Sequence, residues 1–194
     1  MTETGVVLEG VVGLDFVGID PETGKEGSPM VLLDNDKQEL VIQGLKADDA
    51  LNAEVGDPDS AEDSDLDPES EYWRDWTAML REATERGVAV RRARIVSEPV
   101  TLYTRYLHAM TPVNTAAGED VRWLPRRDAC DLALPGADFW LFDDRVVRFN
   151  HFTGDGDWAD PRTSDTEDPA VAKLCATAFE AVWERAVPHE RYTV

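Results

Sequence analysis

Phe139-Trp140-Leu141-Phe142-Asp143-Asp144-Arg145-Val146-Val147-Arg148-Phe149 is the clearest β signal in the chain. Two runs of aromatic and β-branched residues flank an Asp-Asp pair, which reads as a hairpin with a two-residue turn. Upstream, Val121-Arg122-Trp123-Leu124 is a short strand closed by Pro125, residues 126–134 are expected to be helical, and Pro135-Gly136 is a turn. Val88 to Val96 is a further strand. Asp67-Pro68-Glu69 supplies an N-cap, a first-turn proline and an acid, and Gly87 a stop, for a helix whose apolar face is Tyr72, Trp76, Met79, Leu80 and Ala83. Leu102, Tyr103, Tyr106 and Leu107 predict a helix stopped before Pro112. Downstream of the hairpin, Asp168-Pro169 caps a last helix with the face Val171, Leu174, Cys175, Ala178, Val182 and Ala186. The order αβαβαββα predicts an α+β (α/β) fold, a mixed sheet covered by helices.

Charge divides the chain. Of 194 residues, 40 are acidic and 19 basic, a net charge of −21. Residues 1–72 carry 20 acids and 3 bases, whereas residues 73–194 carry 20 and 16, all but one of the latter Arg. Such a break marks a module boundary. Residues 1–55 are read as a small β-rich module, its short apolar runs punctuated by Gly5, Gly10, Gly13 and Gly18. Within it, Met30 to Leu33 and Leu40 to Ile42 are expected to form a hairpin across an Asx-rich turn. Residues 56–71, with eight carboxylates and no cation, are read as an extended acidic linker, a solvated spacer rather than a nucleic-acid mimic. Residues 72–194 form the α/β domain. A module of roughly 50 residues has a marginal core, so the first is expected to lean on the second or on a partner.

The composition excludes several functions. So negative a chain has no footprint for nucleic acid or for an acidic membrane surface. Two cysteines cannot make a disulfide framework, and no basic leader or membrane-length apolar run is evident, so a cytoplasmic protein is expected. His108, His151 and His189 are far apart, Cys130 and Cys175 read as buried small hydrophobes, and no metal site is expected. Asp155-Gly156-Asp157 with Asp160 lacks the calcium-loop pattern. Phosphate-binding glycine motifs and the serine nucleophile elbow are absent, and no cofactor is expected. Asp143-Asp144 and Glu119-Asp120 are carboxylate pairs that an acidic chain supplies by chance.

The arginines are more informative. Arg91, Arg92, Arg94, Arg105, Arg122, Arg126 and Arg127 gather around strands and strand ends. Planar guanidinium groups suit carboxylates, either the protein's own acids or an acidic segment held in a groove. The binding residues so chosen are Arg92, Arg94, Ser97, Glu98, Tyr103, Tyr106, Glu119, Asp120 and Arg122.

A set of ordered motifs then stands out: Arg91-Arg92-Ala93-Arg94-Ile95-Val96-Ser97-Glu98-Pro99, Tyr103-x-x-Tyr106, Ala117 to Arg126, and Asp138-Phe139-Trp140-Leu141-Phe142-Asp143-Asp144. Over roughly residues 73–187 these resemble an uncharacterised domain family common in actinobacteria, often encoded beside helix-turn-helix regulators. Ser28 to Asp34 and Leu40 to Gly44 resemble a small β-type protein often encoded beside that domain, which implies a fusion of two cooperating neighbours. The domain also resembles non-catalytic sensor regions of some transcription regulators. The family has no established activity, so the resemblance implies no catalytic residue.

Two expectations follow. The first is a non-enzymatic regulatory or adaptor protein that binds a partner protein, such as a helix-turn-helix regulator, without touching nucleic acid or membrane itself. The second is an enzyme or small-ligand sensor with an Arg/Glu/Tyr pocket at the strand ends, using Glu98 or Glu119 as base. The sequence leaves the oligomeric state open.

Overall fold

The computed structural model describes residues 73–154 and 158–194, together with the backbone of three strands ahead of them. The elements are β1 (Leu14–Ile19), β2 (Met30–Asp34), β3 (Glu39–Gly44), α1 (Arg74–Glu85), β4 (Ala89–Val96), α2 (Leu102–Ala116), β5 (Asp120–Pro125), β6 (Phe139–Phe142), β7 (Val146–Phe152), β8 (Trp158–Thr166), α3 (Pro169–Arg185) and β9 (Val187–Pro188), with 3-10 turns at Arg126–Ala129 and His189–Arg191. β1 and β2 form a two-stranded ribbon. The other seven strands make one mixed sheet in the order β8-β7-β6-β3-β4-β5-β9. β3, β4 and β5 run parallel, and the strands outside them pair antiparallel. The fold class expected from the sequence is therefore the one observed. The acidic segment 56–71, the Asp67-Pro68 cap, Gly5, Gly10, Gly13 and Asp155 to Asp157 lie outside the described residues.

Strand periodicity builds two cores. Successive side chains of β6 point to opposite faces. Trp140 and Phe142 join Trp73, Trp76, Met79, Leu80, Val90, Met110 and Val113 under α1 and α2. Phe139 and Leu141 join Ala93, Ile95, Leu124, Val147, Cys175, Phe179 and Val182 under α3. All four residues of β6 are no more than 2% exposed, which explains a run without alternation. Its turn is as expected: Asp143 and Asp144 have φ of 49° and 56°, and the Arg145 N–H donates to the Phe142 carbonyl at 2.9 Å. Asp tolerates this left-handed backbone better than most residues.

Six expectations are corrected. Pro112 lies inside α2. The helix continues past it because Met110, Val113 and Asn114 are buried on the far side, so packing outweighs the lost backbone bond. Residues 126–134 shrink to one 3-10 turn, Arg126–Ala129. The stretch between the β6–β7 hairpin and Asp168, to which the order αβαβαββα gives no element, holds an entire strand, β8, whose polar sequence gave no apolar alternation. Arg148, 2% exposed, secures it through two 2.7 Å bonds to Asp165. Lastly, β2 and β3 do not pair with each other: β2 pairs with β1, while β3 lies between β4 and β6. α3 is also turned slightly from its expected face, since Phe179 and Trp183 pack inward and Leu174 is 48% exposed. Cys175 is buried as expected, but Cys130 is exposed.

Both α1 and α2 end in the same double hydrogen bond. Gly87 N–H reaches Thr84 O and Val88 N–H reaches Ala83 O; Gly118 N–H reaches Thr115 O and Glu119 N–H reaches Asn114 O. These are Schellman closures, which need a left-handed residue. Gly118 has φ of +104°, and a Cβ there would lie 2.8 Å from the Thr84 side chain. Gly118→Ala is expected to cost about 1–3 kcal/mol in urea unfolding, from backbone strain and the clash together. Gly136→Ala, where a Cβ meets nothing within 4 Å, is the control and stays within about 1 kcal/mol of the parent.

Candidate functional site

The sheet separates the residues chosen from sequence. Even-numbered side chains of β4 face α1 and α2, and odd-numbered ones face α3. Arg92 is 4% exposed, and its Nε donates to Glu119 Oε1 at 2.6 Å and its Nη2 to Oε2 at 3.3 Å. Glu119, placed by the α2 closure, is 3% exposed. The indole N–H of Trp76 donates to Asn114 Oδ1 at 2.6 Å, and the Arg92 guanidinium lies 5.8 Å from the Trp76 ring centre. Arg92 and Glu119 thus neutralise each other inside the α1/α2 core.

On the opposite face, Arg122 lies 4.1 Å above the ring of Trp183 and donates to that residue's carbonyl at 3.3 Å. Asp120 pairs with Arg122 at 3.5 Å. Arg91 stands beside them, 4.9 Å from the Phe179 ring and bonded to Glu180 at 2.7 Å. Ser97 is exposed at the end of β4. The nine residues do not line one pocket.

Some of them do converge, around groups the sequence reading missed. At the carboxyl ends of β4 and β5 the chain's last turn folds back over Trp123. The ring of Tyr192 stacks on Trp123 at 5.5 Å with an interplanar angle of 3°. The Tyr192 hydroxyl donates to Glu98 Oε1 at 3.1 Å, and Arg127 pairs with Glu98 Oε2 at 3.4 Å. Arg94 covers Trp123 at 5.4 Å. Tyr103 and Tyr106 pack against the cluster of Leu107, Val121, Trp123 and Tyr192. Arg94, Glu98, Tyr103 and Tyr106 therefore share this clasp.

Two histidines complete it, their ring centres 4.5 Å apart. His108 Nε2 lies 2.9 Å from the Tyr192 carbonyl. A carbonyl only accepts, so this nitrogen carries the proton. His189 Nδ1 accepts from the Trp123 indole N–H at 3.2 Å, which needs that nitrogen unprotonated. Burial holds the His189 pKa below its ordinary value, with His108 and Arg94 adding to the effect and Glu190 opposing it. Burial, then the bond to Glu98, pushes Tyr192 up to about 12. His108 and His189 are 81 positions apart in sequence, and no spacing rule links them. The available signal was weaker: an aromatic and a histidine in a polar terminal stretch.

Elsewhere a groove of about 290 Å³ lies between the β6–β7 turn and the start of α3, lined by Asp144, Arg145, Glu167, Pro169, Ala172, Lys173 and Ala176. None of the nine chosen residues lines it. Among the described residues no group of three His, Cys, Asp or Glu is placed to hold a metal ion, and no helix is long and apolar enough to cross a membrane. Burial pushes the Cys175 thiol up to about 11, which leaves it a poor nucleophile.

The chain belongs to the DUF6879 family, a domain of unknown function, over residues 59–194. That span contains the motifs that carried the resemblance to an uncharacterised domain family. No curated protein matches the chain.

Glu119→Gln leaves the Arg92 charge buried without its counter-ion and is expected to cost about 3–5 kcal/mol in denaturant unfolding. Arg92→Met with Glu119→Leu removes both charges and is expected to recover most of that loss. The clasp predicts a pH dependence. Because the His189 pKa is lower folded than unfolded, the unfolded chain binds the proton more readily. The stability tied to neutral His189 is whole above about pH 6.5 and is lost as pH falls through the folded value. Urea midpoints at about pH 7.5 and about pH 5.5 should differ more for the parent than for His189→Gln.

Proposed function

We propose that this DUF6879 protein is a non-enzymatic regulatory or adaptor protein that holds a partner protein. One observation carries the reading: both acids that an enzyme would use as base are engaged as structural anions. Both oxygens of Glu119 accept from Arg92 inside the core, and Glu98 receives the Tyr192 hydroxyl and Arg127. A general base must instead be able to take a proton from substrate. Arg91, Arg92, Arg94, Arg122, Arg126 and Arg127 are likewise engaged with the protein's own acids, aromatic rings and carbonyls, as with Arg126 bonded to Ile95 O at 3.0 Å. The resemblance to domains encoded beside helix-turn-helix regulators supports a cytoplasmic regulator of that class as the partner. The net charge of −21 argues that contact with nucleic acid runs through that partner.

Affinity capture from the native host, followed by reconstitution of the purified pair, tests this. The expected result is a defined complex with a helix-turn-helix protein that survives Glu98→Gln. Turnover of a metabolite by the purified chain, abolished by Glu98→Gln while the fold persists, overturns it.

A further inference from the structure

The middle position of the seven-stranded sheet is filled from outside the matched domain. The family match spans residues 59–194, yet the strand between β4 and β6 is β3, Glu39–Gly44. Its six residues pair in parallel with Ala89 to Arg94, and four of them pair antiparallel with Phe139 to Phe142. Without it, β4 and β6 each lose a neighbour where helices cover both faces of the sheet. Backbone groups left unpaired there have no water to turn to, at a cost of roughly 1–3 kcal/mol each.

The connections fit a strand that is delivered. Residues 45–73 separate β3 from α1, 29 residues where a strand-to-helix loop needs about 2–6. At about 3.3 Å per residue that tether reaches up to about 95 Å. On its other side, β3 lies four residues from β2, a hairpin spacing, but pairs with strands of the other sheet.

We propose that the 59–194 domain is a strand acceptor. The slot between β4 and β6 takes an extended strand of the Leu40-Val41-Ile42 type, parallel to β4 and antiparallel to β6. In this chain Glu39–Gly44 occupies the slot as a tethered ligand, and the same strand supplied by a second polypeptide replaces it. Affinity comes from ladder hydrogen bonds on both edges of the incoming segment. The tether gives the internal strand an effective concentration in the millimolar range, so replacement is read once the tether is cut. The proposal does not rest on the regulatory reading, because the slot belongs to the sheet whichever partner the protein serves.

The full chain, carrying a protease site inserted between residues 56 and 58, is folded and then cut. The expected result is that the N-terminal fragment stays with the domain in size-exclusion chromatography. A labelled peptide of residues 36–47, in excess, then replaces it at least tenfold better than the same peptide with Val41→Pro, which lacks one ladder N–H. As a second measurement, the uncut Val41→Pro chain takes up the unaltered peptide and gains melting temperature, whereas the uncut parent takes up little. The proposal falls if the cut fragment departs and leaves the domain's circular dichroism and melting temperature unchanged. It also falls if the fragment stays but no peptide enters after urea unfolding and refolding in its presence. The cut-chain experiment needs no substituted protein to fold.

Discussion

A strand with helices over both of its faces can satisfy its backbone only through its neighbours in the sheet. β4 and β6 are in that position, with α1 and α2 on one side and α3 on the other. Each has a β partner on one edge, β5 and β7 respectively, and both share β3 on the other. The two helical layers can close only over a sheet that is continuous through this point. Trp76 and Trp140, whose ring centres are 6.4 Å apart in an edge-to-face arrangement, pack across the layer beside it. The six backbone positions of β3 thus join the parallel half of the sheet to the antiparallel half.

The same sheet acts as a partition. Arg91, Arg92 and Arg94 are close in sequence, but the two-residue period of β4 sends Arg91 to the rings under α3 and the other two to the α1/α2 side. The resulting environments differ. Arg92 finds a carboxylate in the core, an arrangement that adds little stability over an apolar pair but is costly to break on one side. Arg91 lies over Phe179 and Trp183 with half-exposed Glu180 at its tip, where its stem packs and its charge keeps some water. Each guanidinium is matched locally, so a cluster in one dimension becomes separate structural contacts in three.

What the sequence made legible was whatever local period or local chemistry decides. The β6–β7 hairpin, β4, β5, the glycine stop of α1 and the Asp168 cap of α3 all rest on residues within a few positions of one another. The Asp168 carboxylate, for example, accepts from the Ala170 N–H at 2.8 Å. Features that depend on distant partners were not legible. Pro112 reads as a helix stop until Asn114 is known to face Trp76, 38 positions away. β8 reads as loop until Arg148 meets Asp165. Leu40 to Ile42 reads as half of a hairpin because nothing in six residues shows which neighbours compete for its two edges. The candidate site was hidden for the same reason: Arg92 and Glu119, chosen singly among nine binding residues, meet 2.6 Å apart in the core only through the fold, as do His108 and His189.

The outer edges of the sheet bear on how such a protein associates. β8 carries Pro161 with Asp160, Arg162 and Asp165, and proline and charge on an edge strand discourage further pairing. At the other end β9 is two residues long and covers β5 only at Arg122 and Trp123. The chain then turns, and Tyr192 locks over Trp123 with its hydroxyl on Glu98. Both rims are therefore closed to an incoming strand, one by composition and one by the terminal clasp. The interior position, by contrast, is occupied by β3, a segment that lies ahead of the matched domain with 29 residues between it and α1. A sheet blunted at both rims and completed from outside at its centre directs strand pairing inward.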